Sequence, residues 1–231
     1  MKTTEYQFKR ILIKALLLFC VTGAVAQVKQ PQAYARLKKK PVVTRVKQKI
    51  AVPVSDQYKD FMQLVTQAGA TFTFPKGFNE ISAMNDEDFS YDYAMEIPDK
   101  DFEVWFQVKS QKENYASYEA SKDDNVRKVA NPDSLYIEMG KAQAAAFAGD
   151  PNFFIRTIPA NILARYNADA GRSYLLNLVD MPSTKHYKYA LLLTLQRNHT
   201  GTIMVVCFTN EKDPEFFKNI DKASNCLKFK P

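Results

Sequence analysis

The chain has only two histidines, His186 and His199, and both stand among turn-forming residues. Zinc sites need a second histidine four residues away or paired cysteines, and a serine hydrolase needs its nucleophile in a G-x-S-x-G turn. Glycine-rich phosphate loops are equally absent from the sequence. We therefore expect both histidines on solvent-facing loops, with no catalytic group and no cofactor.

One acidic segment, residues 86–103, carries eight carboxylates opposed by Lys100 alone. Hard cations such as calcium prefer several carboxylate and carbonyl oxygens, but the EF-hand glycine and final glutamate are missing from this spacing. The alternative is a solvated acidic loop without a metal. The candidate ligands, if a metal binds, are Asp86, Asp88, Asp99 and Asp101.

Three aromatic residues, Trp105, Tyr115 and Tyr118, are candidates for a ligand surface. Trp105 alternates with apolar residues in a predicted strand, which places it on the mainly polar face. Exposed aromatic rings anchor proteins or sugars. The alternative is that these amphipathic rings cover the end of a core.

Residues 1–26 have the pattern of a secretory signal. Basic residues extend to Lys14, a short apolar stretch follows, and Ala24-Val25-Ala26 precedes Gln27. We expect cleavage between Ala26 and Gln27 and an extracytoplasmic mature protein, periplasmic or secreted. The uncharged stretch is too short to cross a bilayer, so an integral membrane protein is not expected.

Export leaves two thiols in the mature chain, Cys207 and Cys226. An even number of cysteines outside the cytosol permits one disulfide bond. Two reduced cysteines in the core are the alternative, because Cys207 lies in a long apolar run. Redox catalysis is not expected without a C-x-x-C motif.

Two short patterns are typical of glycosylation sites. Asp133-Ser134-Leu135 resembles the O-glycosylation sequence of some Gram-negative exported proteins, with Ser134 as the acceptor. Asn198-His199-Thr200 fits the N-glycosylation pattern of a eukaryotic secretory pathway.

The net charge of +7 is unevenly distributed along the chain. Residues 1–26 carry +3 and residues 27–50 carry +8 without one acid, so residues 51–231 carry −4. We expect residues 27–50 to form an extended basic linker. It is either a plain solvated spacer or a segment that makes weak contact with an anionic surface. Residues 51–231 are mildly acidic, so they lack the net positive charge that is typical of a nucleic-acid-binding domain.

Residues 51–231 are predicted to form one α+β domain. With 46% hydrophobic residues, the 231-residue chain has enough apolar material for one core. Caps predict helices after Ser55, Asn131 and Asp213, and alternation predicts a strand at 102–109 and a hairpin at 187–209. Because the hairpin strands are apolar on both faces, we expect a mostly antiparallel sheet covered by helices on both sides.

The opening TFTFPKGF and the closing helix DPEFFKNIDKASNCLKF resemble the PsbP-like or DcrB-like superfamily, which includes the Ran-binding Mog proteins. The resemblance spans about 70–230 and rests on the order of elements. It implies a three-layer α/β/α sandwich and a non-catalytic binding or accessory module, often exported.

The sequence thus favours an exported, non-catalytic cell-envelope protein that binds another protein. One alternative is a carrier for a small apolar or sugar ligand, and a less favoured one is a carboxylate-dependent hydrolase.

Overall fold

A computed structural model describes residues 55–123 and 129–231, all within the compact unit Gln48–Pro231. The predicted signal 1–26 and linker 27–50 lie outside the described residues.

The described part is an α+β protein with a large antiparallel sheet. Its helices are α1 (Asp56–Gln67), α2 (Lys112–Ser121), α3 (Leu135–Ala148), α4 (Ala160–Leu163) and α5 (Pro214–Ser224). Its strands are β1 (Ala70–Phe72), β2 (Asn79–Ile81), β3 (Tyr93–Glu96), β4 (Phe102–Ser110), β5 (Phe154–Thr157), β6 (Ala170–Asn177), β7 (Tyr189–Arg197), β8 (Gly201–Thr209) and β9 (Leu227–Phe229).

Seven strands form one sheet in the order β2-β3-β4-β8-β7-β6-β5, and every pair is antiparallel. The long central strands β4 and β8 pair from Phe102↔Thr209 to Ser110↔Gly201. A separate two-stranded sheet pairs β1 with β9 and sets Ala70 opposite Phe229. This pairing joins the segment that follows α1 to the last strand of the chain.

The predicted helix caps are confirmed at all three positions. The Ser55 hydroxyl accepts a hydrogen bond from the Tyr58 amide, and the Asp213 carboxylate accepts one from the Phe216 amide. Asn131 caps a short 3₁₀ helix, Pro132–Ser134, which leads directly into α3. The helix after Asn131 thus begins with a 3₁₀ turn instead of an α-helical one, which is frequent at helix N-termini.

The β4 strand was expected to have one mainly polar face, and this expectation is wrong for its first half. Phe102 and Val104 contribute to one buried cluster that includes Phe61 of α1 and Phe216 of α5. Trp105 contributes to a second cluster that includes Ala144 and Phe147 of α3. Both sets of alternating side chains are covered, so neither face of this half is open to water.

Two elements have almost no share in the core. The helix α2 contains no buried residue. Among the described strands, β5 lies at one edge of the large sheet and pairs only with β6, and its four residues are exposed. Within the described ranges, no helix is both long and apolar enough to cross a membrane.

Candidate functional site

Both histidines are exposed and lie in turns, as predicted. His186 has a positive φ of 61°, and its Nδ1 atom lies 2.5 Å from Asp180 Oδ1. His199 lies in the turn between β7 and β8 with φ 60°. Their side chains are 65% and 58% exposed.

His199 forms the centre of a polar cluster that joins three segments of the chain. Its amide donates to Asp133 Oδ1 at 2.8 Å, and its Nε2 atom lies 3.2 Å from Asp133 Oδ2. The Tyr115 ring stacks on the imidazole with 3.8 Å between the ring centroids. Hydrogen bonding to Glu119 raises the Tyr115 pKa. An aspartate can orient a histidine for proton transfer, but here one face of the imidazole is covered by the tyrosine.

A line of buried polar side chains continues inward from Asp133. Gln196 Nε2 donates to Asp133 Oδ1 at 3.1 Å, and Thr202 Oγ1 donates to Gln196 Oε1 at 2.7 Å. Gln111 Nε2 then donates to Thr202 Oγ1 at 3.5 Å. These contacts give the buried amides hydrogen-bonding partners and join α2 to the end of the hairpin.

The predicted O-glycosylation site is located in the same region. Ser134 is exposed at the end of the 3₁₀ helix, and its hydroxyl donates to the Asn131 carbonyl at 2.8 Å. Its neighbour Asp133 is held by Gln196 and His199. The acceptor hydroxyl is therefore at the surface, whereas the aspartate of the pattern is engaged inside the fold.

Trp105 is not part of a surface, contrary to the expectation for the aromatic set. It is 1% exposed, and its ring centroid lies 4.3 Å from that of Phe208. Tyr115 and Tyr118 do lie together on α2, with 6.0 Å between their ring centroids. The structure therefore separates the tryptophan from the two tyrosines, because the face of β4 that carries Trp105 is covered.

The indole N–H of Trp105 donates to Glu103, a member of the acidic segment whose burial the sequence did not indicate. Lys185 Nζ lies 2.6 Å from Glu103 Oε1, and the Tyr187 hydroxyl donates to the same oxygen at 3.4 Å. Burial, together with the Glu103 charge, raises the Tyr187 pKa. Glu103 is thus compensated by one cation and two neutral donors, as a buried charge requires.

The four candidate metal ligands fall into two separate loops. Asp86 accepts hydrogen bonds from the Asp88 and Phe89 amides at 2.9 and 2.7 Å, and the bond from Phe89 lowers its pKa. Asp99 and Asp101 lie in the turn between β3 and β4, where Asp99 has φ 60°. Across 55–123 and 129–231, no three His, Cys, Asp or Glu side chains form a cluster that could hold a metal ion.

Cys207 and Cys226 are free, buried thiols in the same hydrophobic cluster. Burial raises the pKa of both thiols. The Cys226 thiol donates to the Ala223 carbonyl at 2.7 Å. This arrangement corresponds to the reduced alternative, and the disulfide bond stays a prediction.

A surface cavity of about 270 Å³ opens beside the first turns of α5; we call it the acidic cavity. Its lining combines four carboxylates and Lys100 with two buried phenylalanines and two other polar residues. These residues are Lys100, Asp101, Phe102, Thr209, Glu211, Asp213, Glu215, Phe216 and Asn219.

Asn219 is the least expected residue of the acidic cavity. It is 4% exposed and makes no side-chain hydrogen bond to the described residues. Sequence reasoning treated Asp213 only as a helix cap, and the sole local signal was the density of acids from Glu211 to Glu215.

The edge strand β5 is a second surface feature. Phe154 is 54% exposed and Ile155 is 37% exposed, although their side chains point to opposite faces of the sheet. The guanidinium of Arg156 lies 4.7 Å from the Phe154 ring centroid. An apolar edge strand of this kind is a template for pairing with another chain.

No family model matches the sequence, and no curated protein matches it either.

Proposed function

We propose that this chain is an exported, non-catalytic protein of the cell envelope that acts by binding another protein. The signal pattern of residues 1–26 supports export after cleavage at Ala26/Gln27. The resemblance to the PsbP-like superfamily supports an accessory role. It also agrees with a three-layer sandwich, since α1 and α5 contribute to one buried cluster and α3 to the other.

The observation that carries the proposal is the exposed edge strand β5. Natural proteins usually protect an edge with charges, proline or a covering loop, yet all four residues here are exposed and Arg156 is their only charge. A partner strand that adds to this edge gains backbone hydrogen bonds and buries Phe154 and Ile155. The affinity then comes from the main chain and the specificity from the two apolar side chains.

The surroundings of the polar groups support a role without catalysis. Asp133 is engaged by the His199 amide and by Gln196, and Tyr115 covers one face of the His199 imidazole. Glu103 is buried and compensated by its three partners. A catalytic side chain must be able to reach a substrate or a nucleophile. The hydrogen bonds of Asp133 and Glu103 instead hold segments of the fold together.

A closed pocket lined by Trp105 and tyrosines would favour the alternative of a small-ligand carrier. None of the five surface cavities found on the described residues is lined by Trp105. The acidic cavity is instead lined by four carboxylates. We therefore favour protein binding over a carrier function.

Site-specific photocrosslinking in the producing cells tests the proposal. A crosslinking residue replaces Phe154, and a control replaces Glu138, which is exposed on α3. The captured protein is then purified, and its affinity is compared for the wild type, Phe154→Asp and the matched control Val129→Asp, where Val129 is 46% exposed.

We expect one adduct from position 154, none from position 138, and at least tenfold weaker binding by Phe154→Asp alone. Mass spectrometry of the mature chain should show Gln27 as its first residue. Equal crosslinking from both positions, or equal loss of affinity in both aspartate variants, would overturn the binding role of β5. A chain that retains residues 1–26 would overturn the export step.

A further inference from the structure

The acidic cavity is strongly negative in charge. It contains four carboxylates against the single cation Lys100, which pairs with Glu215. Asp213 is used as the cap of α5. Asp101 and Glu211 have no cationic partner among residues 55–123 and 129–231.

The amino end of α5 does not reverse this balance. A helix N-terminus carries the equivalent of roughly half a positive charge, which is smaller than the charge of the two unpaired carboxylates, Asp101 and Glu211. The Phe216 amide is moreover already bonded to Asp213 at 2.7 Å. The cavity therefore attracts cations and repels anions.

The second, independent feature is the amide of Asn219. It is 4% exposed, lines the cavity, and has no hydrogen-bonding partner in the described part of the chain. The neighbouring buried residues on the same face of α5 are Phe216, Ile220 and Ala223. Because this amide lines the cavity, a ligand that enters the cavity can form hydrogen bonds with it.

The wall of the cavity is aromatic. Phe102 and Phe216 are each 2% exposed, and their ring centroids are 6.1 Å apart. The cavity thus combines an apolar wall, an amide and a carboxylate rim. A ligand that fits has a flat or apolar part and a cationic group with several hydrogen-bond donors.

We propose that the acidic cavity binds an arginine side chain of a partner protein. The guanidinium is planar and has five donors, which the carboxylates and the Asn219 side-chain carbonyl can accept. A bare metal ion fits less well, because within the described part of the chain these carboxylates belong to no three-residue cluster that could hold one. An ammonium group has three donors, so it can pair with fewer of these acceptors.

The size of the cavity agrees with one side chain. Its volume is about 270 Å³. Pockets for drug-sized ligands cover ~300–1,000 Å³, so this cavity lies at the lower limit. The inference gives the proposed function a second contact surface with defined chemistry, and it does not depend on β5.

NMR titration of the full chain tests the inference. The probe is the blocked peptide acetyl-Gly-Arg-Gly-amide, and the control peptide carries citrulline, a neutral analogue of the same shape. The side-chain amide signals of Asn219 are followed and are assigned by their loss in Asn219→Ala. Glu211→Gln removes one rim charge, and Glu138→Gln removes one exposed charge on α3 as the matched control.

We expect the arginine peptide to shift the Asn219 signals and the citrulline peptide to leave them in place. Glu211→Gln should weaken the apparent affinity by about threefold, whereas Glu138→Gln should not change it. Equal shifts with both peptides, or no shift with either, would overturn the proposal. A parallel titration with spermidine that shifts Asn219 when the arginine peptide does not would also overturn it, in favour of a small polyamine. None of these outcomes depends on crosslinking at Phe154, so the two proposals can fail separately.

Discussion

The Tyr115 ring lies against the imidazole of His199, with 3.8 Å between the centroids and 24° between the planes. This stack is a main attachment of α2, which has no buried residue. Further contacts come from Gln111, which precedes the helix: its amide donates to the Thr200 carbonyl at 3.0 Å, and its Nε2 donates to Thr202 Oγ1 at 3.5 Å. The helix is therefore joined to the β7–β8 turn rather than to the core.

Tyr115→Ala should loosen α2 without unfolding the protein. An aromatic pair contributes about 1 kcal/mol, so amide exchange in Lys112–Ser121 should accelerate about fivefold. Hydrogen–deuterium exchange by mass spectrometry measures this, and the global unfolding midpoint should stay nearly constant. Tyr118→Ala is the matched control, because Tyr118 does not stack on His199. Equal acceleration in both variants would contradict the role of the stack.

The pair between Lys185 and buried Glu103 predicts an asymmetric response to mutation. Lys185→Met leaves Glu103 buried without its cation and should lower the free energy of unfolding by roughly 2 kcal/mol. Glu103→Gln should cost less, because an amide oxygen can still accept from the Trp105 indole. Urea unfolding measures both values.

Lys188→Met is the control for this pair, since Lys188 is exposed three residues away. It should change stability by less than about 0.5 kcal/mol. The double variant Glu103→Gln/Lys185→Met should be more stable than the sum of the single losses implies. Strict additivity of the two losses would show that the pair contributes nothing.

The helix caps could be predicted from the sequence because they depend on a few adjacent residues. Ser55 and Asp213 bond to amides three residues ahead, and Gly149 ends α3 with φ 71°. The central strands β4 and β8 were equally accessible, since their apolar periodicity is strong. These features are local, and sequence patterns report local preferences well.

The elements that sequence reasoning missed depend on distant partners. The environment of Trp105 is set by Phe147 and Phe208, and alternation alone could not show that both sides of β4 are covered. The helix α2 lacks an apolar stripe, so no periodicity indicated it. The acidic cavity joins residues from 100–102 with residues from 209–219, and only the pairing of β4 with β8 brings them together.

We expect the contribution of Asp92 to the free energy of unfolding to depend on pH. Burial raises its pKa, although the Val108 amide donates to it at 2.6 Å and Lys109 lowers the pKa in part. The native state therefore binds the proton more tightly than the unfolded state does. Its contribution is favourable below the ordinary pKa of 3.8 and is lost as the pH rises through the raised native value.

Asp92→Asn should therefore be more stable than the wild type at pH 7. The amide oxygen keeps the acceptor for Val108, and the desolvated charge is removed. We expect a rise of about 2 °C in the melting temperature at pH 7 that disappears near pH 3. Glu87→Gln, at an exposed position with no desolvated charge, should show no such trend. A variant that is less stable at both pH values would contradict the prediction.

We expect the two buried cysteines to respond unequally to the same substitution. The Cys226 thiol donates to the Ala223 carbonyl at 2.7 Å, and a serine hydroxyl can make the same hydrogen bond. Cys207 is fully buried in β8 and has no such partner among the described residues. Cys207→Ser should therefore lower the free energy of unfolding by about 1–3 kcal/mol, and Cys226→Ser should lower it by less.

Urea unfolding measures the two losses, and alkylation in urea without reductant counts the free thiols. We expect two alkylated thiols in the unfolded chain, and slow alkylation of the native protein because burial raises both thiol pKa values. Cys207→Ala separates the buried hydroxyl from lost packing, and it should be tolerated better than Cys207→Ser. Similar losses in the two serine variants, together with no alkylated thiol, would indicate a disulfide bond instead, since each substitution would then break the same covalent link.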